Sequence, residues 1–290
     1  GGGILVQMGG DMPEISLANL TVAHPNGLPK WAMMFVTVAC GAISGFHATQ
    51  SPMMARCIIS EKQGRTIFYG AMVAEGVIAL IWAAAGVTYY TNHGSLLDGM
   101  TGLTNAIAAG GSGGVVFEIS TGLLGTVGGV LAMIGVIACP ITSGDTAYRA
   151  ARLTIADWFH IDQSRVGPRA ALSIPLLGVG AVIALALPWD VLWRYFSWSN
   201  QTLAMIVLWT GAVFLHKYGF PPKACFIAAL PATFMSAVSV TYFFQAPECL
   251  NLSTSIAYPV GIGVAVVFLA IFIWRILIVA KDDVVKIETR

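Results

Sequence analysis

The sequence predicts an all-α, polytopic membrane protein of about seven transmembrane helices, two of them interrupted, and three observations carry that prediction. Composition is the first: 57% of the 290 residues are hydrophobic and 10% are charged, at a mean hydropathy of +0.77. A water-soluble domain so built would expose enough apolar surface to aggregate. Second, seven stretches run nearly free of charge, and each supplies the ~20 residues a helix needs to cross a bilayer. Third, every Lys and Arg except Lys30 and Arg194 lies in alternate connections or at the C-terminal end. By the positive-inside rule, that alternation places the start of the chain outside and the C-terminus in the cytoplasm, as an odd number of spans requires. The net charge of +1 favours no class of partner, and no basic stripe interleaved with aromatics points to nucleic acid.

In chain order, residues 1–30 read as an extracellular or periplasmic segment, 31–280 as the transmembrane domain and 281–290 as a cytoplasmic tail. The first 30 residues contain neither a basic n-region nor a small-residue cleavage site, so they are no signal peptide. A start outside the cell predicts further spans upstream, so the chain reads as part of a longer protein or a truncated one. The near-uncharged stretches are 31–55, 66–97 (broken by Glu75), 119–144, 170–189, 195–216, 224–247 and 249–274. Between the second and third, the glycine-rich 110–114 lacks a following Gly-Lys-Ser/Thr, so it reads as a hinge or outer lid and not as a phosphate cradle. Trp189, Trp193, Tyr195, Phe196 and Trp198 form an interfacial aromatic belt, and Ser199-Asn200-Gln201-Thr202 reads as a polar helix entrance. The five cysteines are scattered without a Cys-x-x-Cys pair, which makes them packing residues. No metal and no cofactor are expected.

Two spans break in the same way. In the first, Ser44-Gly45-Phe46-His47-Ala48-Thr49-Gln50-Ser51-Pro52 replaces the bulky residues of a lipid-facing helix, and Ser51-Pro52 reads as an N-cap with proline at the first position of a restarted helix. In the third, Ile141-Thr142-Ser143-Gly144-Asp145 follows Pro140, and Thr142 or Ser143 can cap a new helix bearing Arg149. Unpaired backbone in hydrocarbon persists only where protein or a water-filled cavity satisfies it, and transporters use such breaks as binding sites. Ser44, Gly45, His47, Gln50 and Ser51 in the first break, with Ser143 and Gly144 in the second, are therefore candidate substrate-binding residues. The alternative is that Ser-Gly pairs only let helices pack closely.

Ionisable groups at depth are the candidates for ion coupling. Glu75, flanked by Gly70, Ala71 and Ala74, is expected to face the bundle interior, either as a structural hydrogen-bonding group or as a proton or ion site. Asp145 lies at the expected helix start with Arg149 one turn on as its structural ion-pair partner, and is either structural or, with Glu75 and Thr142, an ion-coupling group. His47 either bonds the local backbone or handles substrate or a proton. There is no Gly-x-Ser-x-Gly elbow and no His-Glu-x-x-His pair to support hydrolytic chemistry.

Residues 41–52, followed by Phe68-Tyr69-Gly70-Ala71-Met72 and Ala74-Glu75, resemble the carbon-starvation protein A family. So do 141–149 with Ala156-Asp157, and Trp193-Arg194-Tyr195-Phe196 with Ser199-Asn200-Gln201; the resemblance spans residues 31–275. It implies a multi-pass transporter in the plasma (inner) membrane of a bacterium or archaeon, linked to peptide uptake during carbon starvation, with relatives that import pyruvate. The expected reading is a secondary transporter of short peptides or small carboxylates, coupled to H+ or Na+, with the lipid bilayer as its other partner. The family is grouped with the amino acid, polyamine and organocation transporters, so the resemblance also implies the second half of a LeuT-like fold. The repeat that would complete the site lies outside these residues, and the ending at Arg290 resembles the shorter family members. A membrane nutrient sensor or scaffold, and an intramembrane enzyme, are the other classes open to the sequence.

Overall fold

A computed structural model describes residues 31–37, 44–92, 99–218 and 223–279, and among them every regular element is helical. The helices are α1 (Met33–Thr37), α2 (Phe46–Ala55), α3 (Ala71–Asn92), α4 (Gly99–Trp158), α5 (Val166–Ala186), α6 (Trp189–Lys217), α7 (Cys225–Gln245) and α8 (Thr254–Ile273). A 3-10 turn over Glu61–Gln63 and a π-helical turn over Arg65–Gly70 lead into α3, and another π-helical turn, Trp274–Val279, continues α8. The chain divides into two compact units: the described residues of Ile58–Phe159 form one, and those of Leu28–Cys57 and His160–Arg290 form the other.

Among the described residues, five helical stretches are long and apolar enough to cross a membrane: Glu61–Thr91, Thr101–Trp158, Val166–Ala186, Cys225–Gln245 and Thr254–Ile276. Two of the seven expected spans are not among them. Residues 31–55 carry separate described helices of 5 and 10 residues, each too short for a bilayer. The other is α6, whose 29 residues suffice in length, but the polar residues it buries dilute its apolar run.

In the first unit, the C-terminal half of α3 packs on the start of α4 through Ala85, Tyr89, Tyr90 and Ile119. A straight helix of the 60 residues of α4 would be about 90 Å long, three times the hydrocarbon core of a bilayer. It is broken at Gly111 (φ 60°, ψ −162°) and Gly125 (φ 67°, ψ −175°), a backbone region essentially confined to glycine. The glycine-rich 110–114, expected as a hinge or outer lid, contains the break at Gly111, but the connection around it is helical and not a loop.

The break expected at 142–145 is absent: Thr142, Ser143, Gly144 and Asp145 lie inside continuous α4. The reason is local. Thr142 Oγ1 donates to the Cys139 carbonyl at 2.9 Å and Thr146 Oγ1 to the Ser143 carbonyl at 2.9 Å, so these hydroxyls bond backwards within the helix instead of capping a new one. The same correction applies to Ser51-Pro52. Ser51 Oγ donates to the His47 carbonyl at 2.6 Å, and Pro52 sits inside a helix that has already begun at Phe46.

In the second unit, α6, α7 and α8 pack antiparallel in sequence order with α7 in the middle. Ala212 on α6 meets Cys225 and Ala229 on α7 and Phe272 on α8. Gly261 of α8 lies against Thr241, where an added Cβ would come within 2.9 Å of the Thr241 nitrogen. Small residues let these backbones approach, the usual basis of helix association in lipid. The short α1 closes the other end of α7, with Ala32 and Val36 against Met235, Val238 and Tyr242. Trp31 and Phe35 meet Phe234 edge-on.

Candidate functional site

The second unit contains a buried polar junction where α2 begins. Ser44 is not helical; its Oγ accepts the Phe46 N–H at 3.2 Å and its carbonyl accepts the His47 N–H at 3.3 Å. Ser44, and not Ser51, therefore serves the start of this helix. Asn200 on α6 donates from Nδ2 to the same Ser44 Oγ at 2.8 Å, and the Gly45 N–H donates to the Asn200 carbonyl at 3.1 Å. The first N–H groups of a helix have no partner of their own; here a serine hydroxyl and a carbonyl from α6 supply two. Glycine at 45 permits the contact, since a Cβ there would lie 2.7 Å from Leu203 Cβ and 3.0 Å from Asn200 Oδ1, and closer still to the Asn200 carbonyl.

Gln201 extends the junction to α1. Its Nε2 donates to the Phe35 carbonyl at 3.1 Å, and because a carbonyl only accepts, that bond fixes which way the amide points. Gln201 Oε1 is left without a protein partner, as is Ser197 Oγ one helical turn earlier. The two residues are 2% and 1% exposed, where an unsatisfied polar group costs about 1–3 kcal/mol. On the neighbouring α6–α7 seam, Thr202 Oγ1 and Ser239 Oγ are 2.6 Å apart, Trp198 Nε1 donates to the Ser239 carbonyl at 3.1 Å, and Trp209 Nε1 donates to Ser236 Oγ at 3.0 Å.

The remaining residues proposed from the first break line α2. His47 Nδ1 lies 3.1 Å from the Ser44 carbonyl, and Gln50 Nε2 donates to Thr49 Oγ1 at 3.3 Å; both side chains are half-buried. Those expected on the second break belong to the first unit. Asp145 and Arg149 form an ion pair at 2.8 Å with side chains 65% and 52% exposed, a one-turn surface pair of the kind that contributes a few tenths of a kcal/mol. Glu75, expected to face a bundle interior, is exposed on α3. The described α3–α4 core begins only at Ile81, beyond its position. The carboxylate this unit does place at a helix contact is Glu118 on α4, whose Oε2 accepts the Tyr90 hydroxyl at 3.0 Å.

Sequence reasoning missed Asn200 and Gln201 as site residues and read them as a helix entrance. The available signal was their spacing from Ser197, three and four residues, which puts three polar groups on one side of an apolar helix. A second missed cluster lies at the α7–α8 connection. Glu248, with its side chain 8% exposed, accepts the Tyr242 hydroxyl at 2.5 Å and pairs with Arg194 at 3.5 Å. Its backbone carbonyl accepts Tyr195 Oη at 3.1 Å. Burial raises the neighbouring Cys249 thiol above its ordinary value, and the charge of Glu248 adds to the effect. Among the described residues no group of His, Cys, Asp and Glu is placed to hold a metal ion.

Apolar helices of membrane length, with their polar groups paired across helix contacts, define a polytopic membrane protein. The chain belongs to the carbon starvation protein CstA family, whose model matches residues 2–109. An uncharacterized protein of Haemophilus influenzae is 47% identical over 124 residues, covering 43% of this chain and 87% of that protein. The peptide transporter CstA of Helicobacter pylori (strain ATCC 700392 / 26695) is 27% identical over 296 residues, covering 80% of this chain and 42% of that protein. The pyruvate/proton symporter BtsT of Escherichia coli is 35% identical over 75 residues, which is 24% of this chain and 10% of that protein. The chain thus spans less than half the length of these named transporters. No solved structure matches.

Proposed function

We propose that this chain forms part of a secondary active transporter that imports short peptides or small carboxylates such as pyruvate, driven by H+ or Na+ and used in carbon starvation. The observation that carries the reading is the buried junction of Ser44 and Gly45 with Asn200 and Gln201, in a family whose named relatives are a peptide transporter and a pyruvate/proton symporter. Amides and hydroxyls buried in a membrane protein must find partners in place of water; between helices they add only modest stability, and at interrupted helices they line binding sites. Ser44, Gly45, His47, Gln50 and Ser51 form the substrate side of the proposed site. Thr142, Ser143 and Gly144 lose the argument that selected them, since the helix there is unbroken. Asp145 loses its expected helix start with them, and Glu75 and Asp145 remain the proposed coupling carboxylates as the acidic side chains of the two segments that carry the family resemblance. The arrangement proposed for the whole is seven spans in the second half of a LeuT-like fold, in the inner membrane with the C-terminus cytoplasmic.

Uptake of labelled dipeptides and of pyruvate, in vesicles carrying the protein with and without an imposed proton or sodium gradient, tests the reading. Gradient-driven accumulation is expected, and Glu75→Gln or Asp145→Asn should abolish it while leaving ligand binding within about threefold, because each swap keeps the shape and removes the charge. Vesicles that accumulate none of these solutes under either gradient would overturn the transporter reading. Full accumulation by both variants would make the two carboxylates structural.

A further inference from the structure

Ser197 and Gln201 share one face of α6, where residues four apart stand about 5–6 Å apart at Cβ. Both are all but fully buried, and each ends in an oxygen with no partner in the protein. Gln201 cannot turn that oxygen away, because its amide nitrogen is committed to the Phe35 carbonyl. The bond from Gln201 uses one of the two lone pairs that the Phe35 carbonyl oxygen carries. Three uncharged oxygens from α1 and α6 therefore stand at the polar junction, two of them unsatisfied.

From these groups we infer that Ser197 Oγ, Gln201 Oε1 and the Phe35 carbonyl form a binding site for a small monovalent cation of the size of Na+. Each feature of the donor set selects that class. The donors are oxygens, which suit hard cations and not the softer transition metals. They are uncharged, so they do not supply the carboxylates on which divalent sites are built. None of the three titrates near neutral pH, so the site cannot work by taking up a proton. Gln201 Oε1 and the Phe35 carbonyl only accept, so a cation or a water donor satisfies them and an anion does not, and the Ser197 hydroxyl can turn a lone pair to the same ligand. The inference rests on the transporter reading only for its use: there it would make Na+ the coupling ion and place it beside Asn200, whose amide and carbonyl hold the start of α2.

The test is thermal unfolding of the full chain in detergent, titrated with NaCl at constant ionic strength held by choline chloride, and repeated with KCl. The unfolding temperature should rise saturably with Na+ and much less with K+. Ser197→Ala, a change of one oxygen in a buried site, should raise the half-saturating Na+ concentration about tenfold, while the melt in choline alone holds or rises because an unsatisfied buried hydroxyl is gone. Gln201→Glu exchanges the amide donor to the Phe35 carbonyl for a carboxylate oxygen; it should lower the melt in choline, tighten Na+ and make its binding pH-dependent, and it keeps the test decisive if Ser197→Ala misfolds. An equal response to Na+, K+ and choline means the orphan oxygens hold water only, and overturns the site, as does a Na+ response that neither substitution changes. The outcome is separable from uptake: a protein that accumulates substrate without Na+ stabilisation loses this site alone, and one that binds Na+ but accumulates nothing loses the transporter reading alone.

Discussion

A methyl group added at Gly45 and one added at Gly144 should act in opposite directions, although the sequence presents both as glycines beside a serine. At Gly45 the new Cβ would press on the Asn200 carbonyl and on Leu203, and overpacking of that kind costs about 1–3 kcal/mol. At Gly144 it would meet nothing within 4 Å, and alanine in a helix interior is favoured over glycine by roughly 0.5–1 kcal/mol. Gly45→Ala should therefore melt below the parent and Gly144→Ala at or above it; equal melts for Gly45→Ala and parent would mean that α2 does not press on α6 there. Ser44 and Gly45 were legible in the sequence because small polar residues are conspicuous in an apolar run. Their partner was not. Asn200 lies 156 positions away from Ser44, and no local pattern specifies which helix will supply the matching amide.

At the scale of elements, a Ser/Thr-Gly cluster has two physical outcomes that its composition does not distinguish. A hydroxyl can cap the N–H groups ahead of it, as Ser44 does, or bond the carbonyls one turn behind, as Ser51 and Thr142 do. The sequence marked both clusters and read the second outcome as the first. Gly111 and Gly125 show the converse difficulty, because glycine tolerates a helix as well as the extended, positive-φ break it adopts here. The connection between α4 and α5 is held by its own polar groups. Ser164 donates from its backbone and hydroxyl to Asp162 at 2.9 and 2.5 Å, and Arg169 donates to the carbonyls of Gln163 and Ser164 at 2.6 and 3.0 Å. The hydrogen bonds from Ser164 hold the Asp162 carboxyl below its ordinary value. A depressed carboxylate contributes stability that is present above its unfolded pKa and is lost as pH falls through the folded one. Asp162→Ala should thus unfold more easily than the parent at neutral pH, with the difference closing as pH drops through the carboxylate range. A difference that stays constant with pH would mean that the loop does not depend on the ionised carboxylate.

For the whole molecule, the arrangement of charge and the positions of two thiols give a test of the proposed orientation that does not depend on substrate. Cys57 is exposed just beyond α2 and precedes the cationic run of Lys62 and Arg65, which the positive-inside rule assigns to the cytoplasm. Cys249 is half-buried in the connection between α7 and α8, on the opposite face if α7 crosses the bilayer once between the connections at its two ends. Burial and Glu248 both raise its thiol, so it carries less thiolate than an ordinary cysteine and reacts more slowly. In single-cysteine variants on intact cells, an impermeant maleimide should therefore label Cys249, slowly and faster as the external pH is raised, and leave Cys57 untouched until the membrane is opened. Arg194→Gln should slow Cys249 further, because removing the cation paired with Glu248 leaves that carboxylate's field on the thiol less opposed. Labelling of Cys57 from outside with Cys249 protected would invert the whole assembly and carry the Lys217–Lys223 connection to the exterior with it; labelling of both from one side would mean that the helices between them cross the membrane an even number of times.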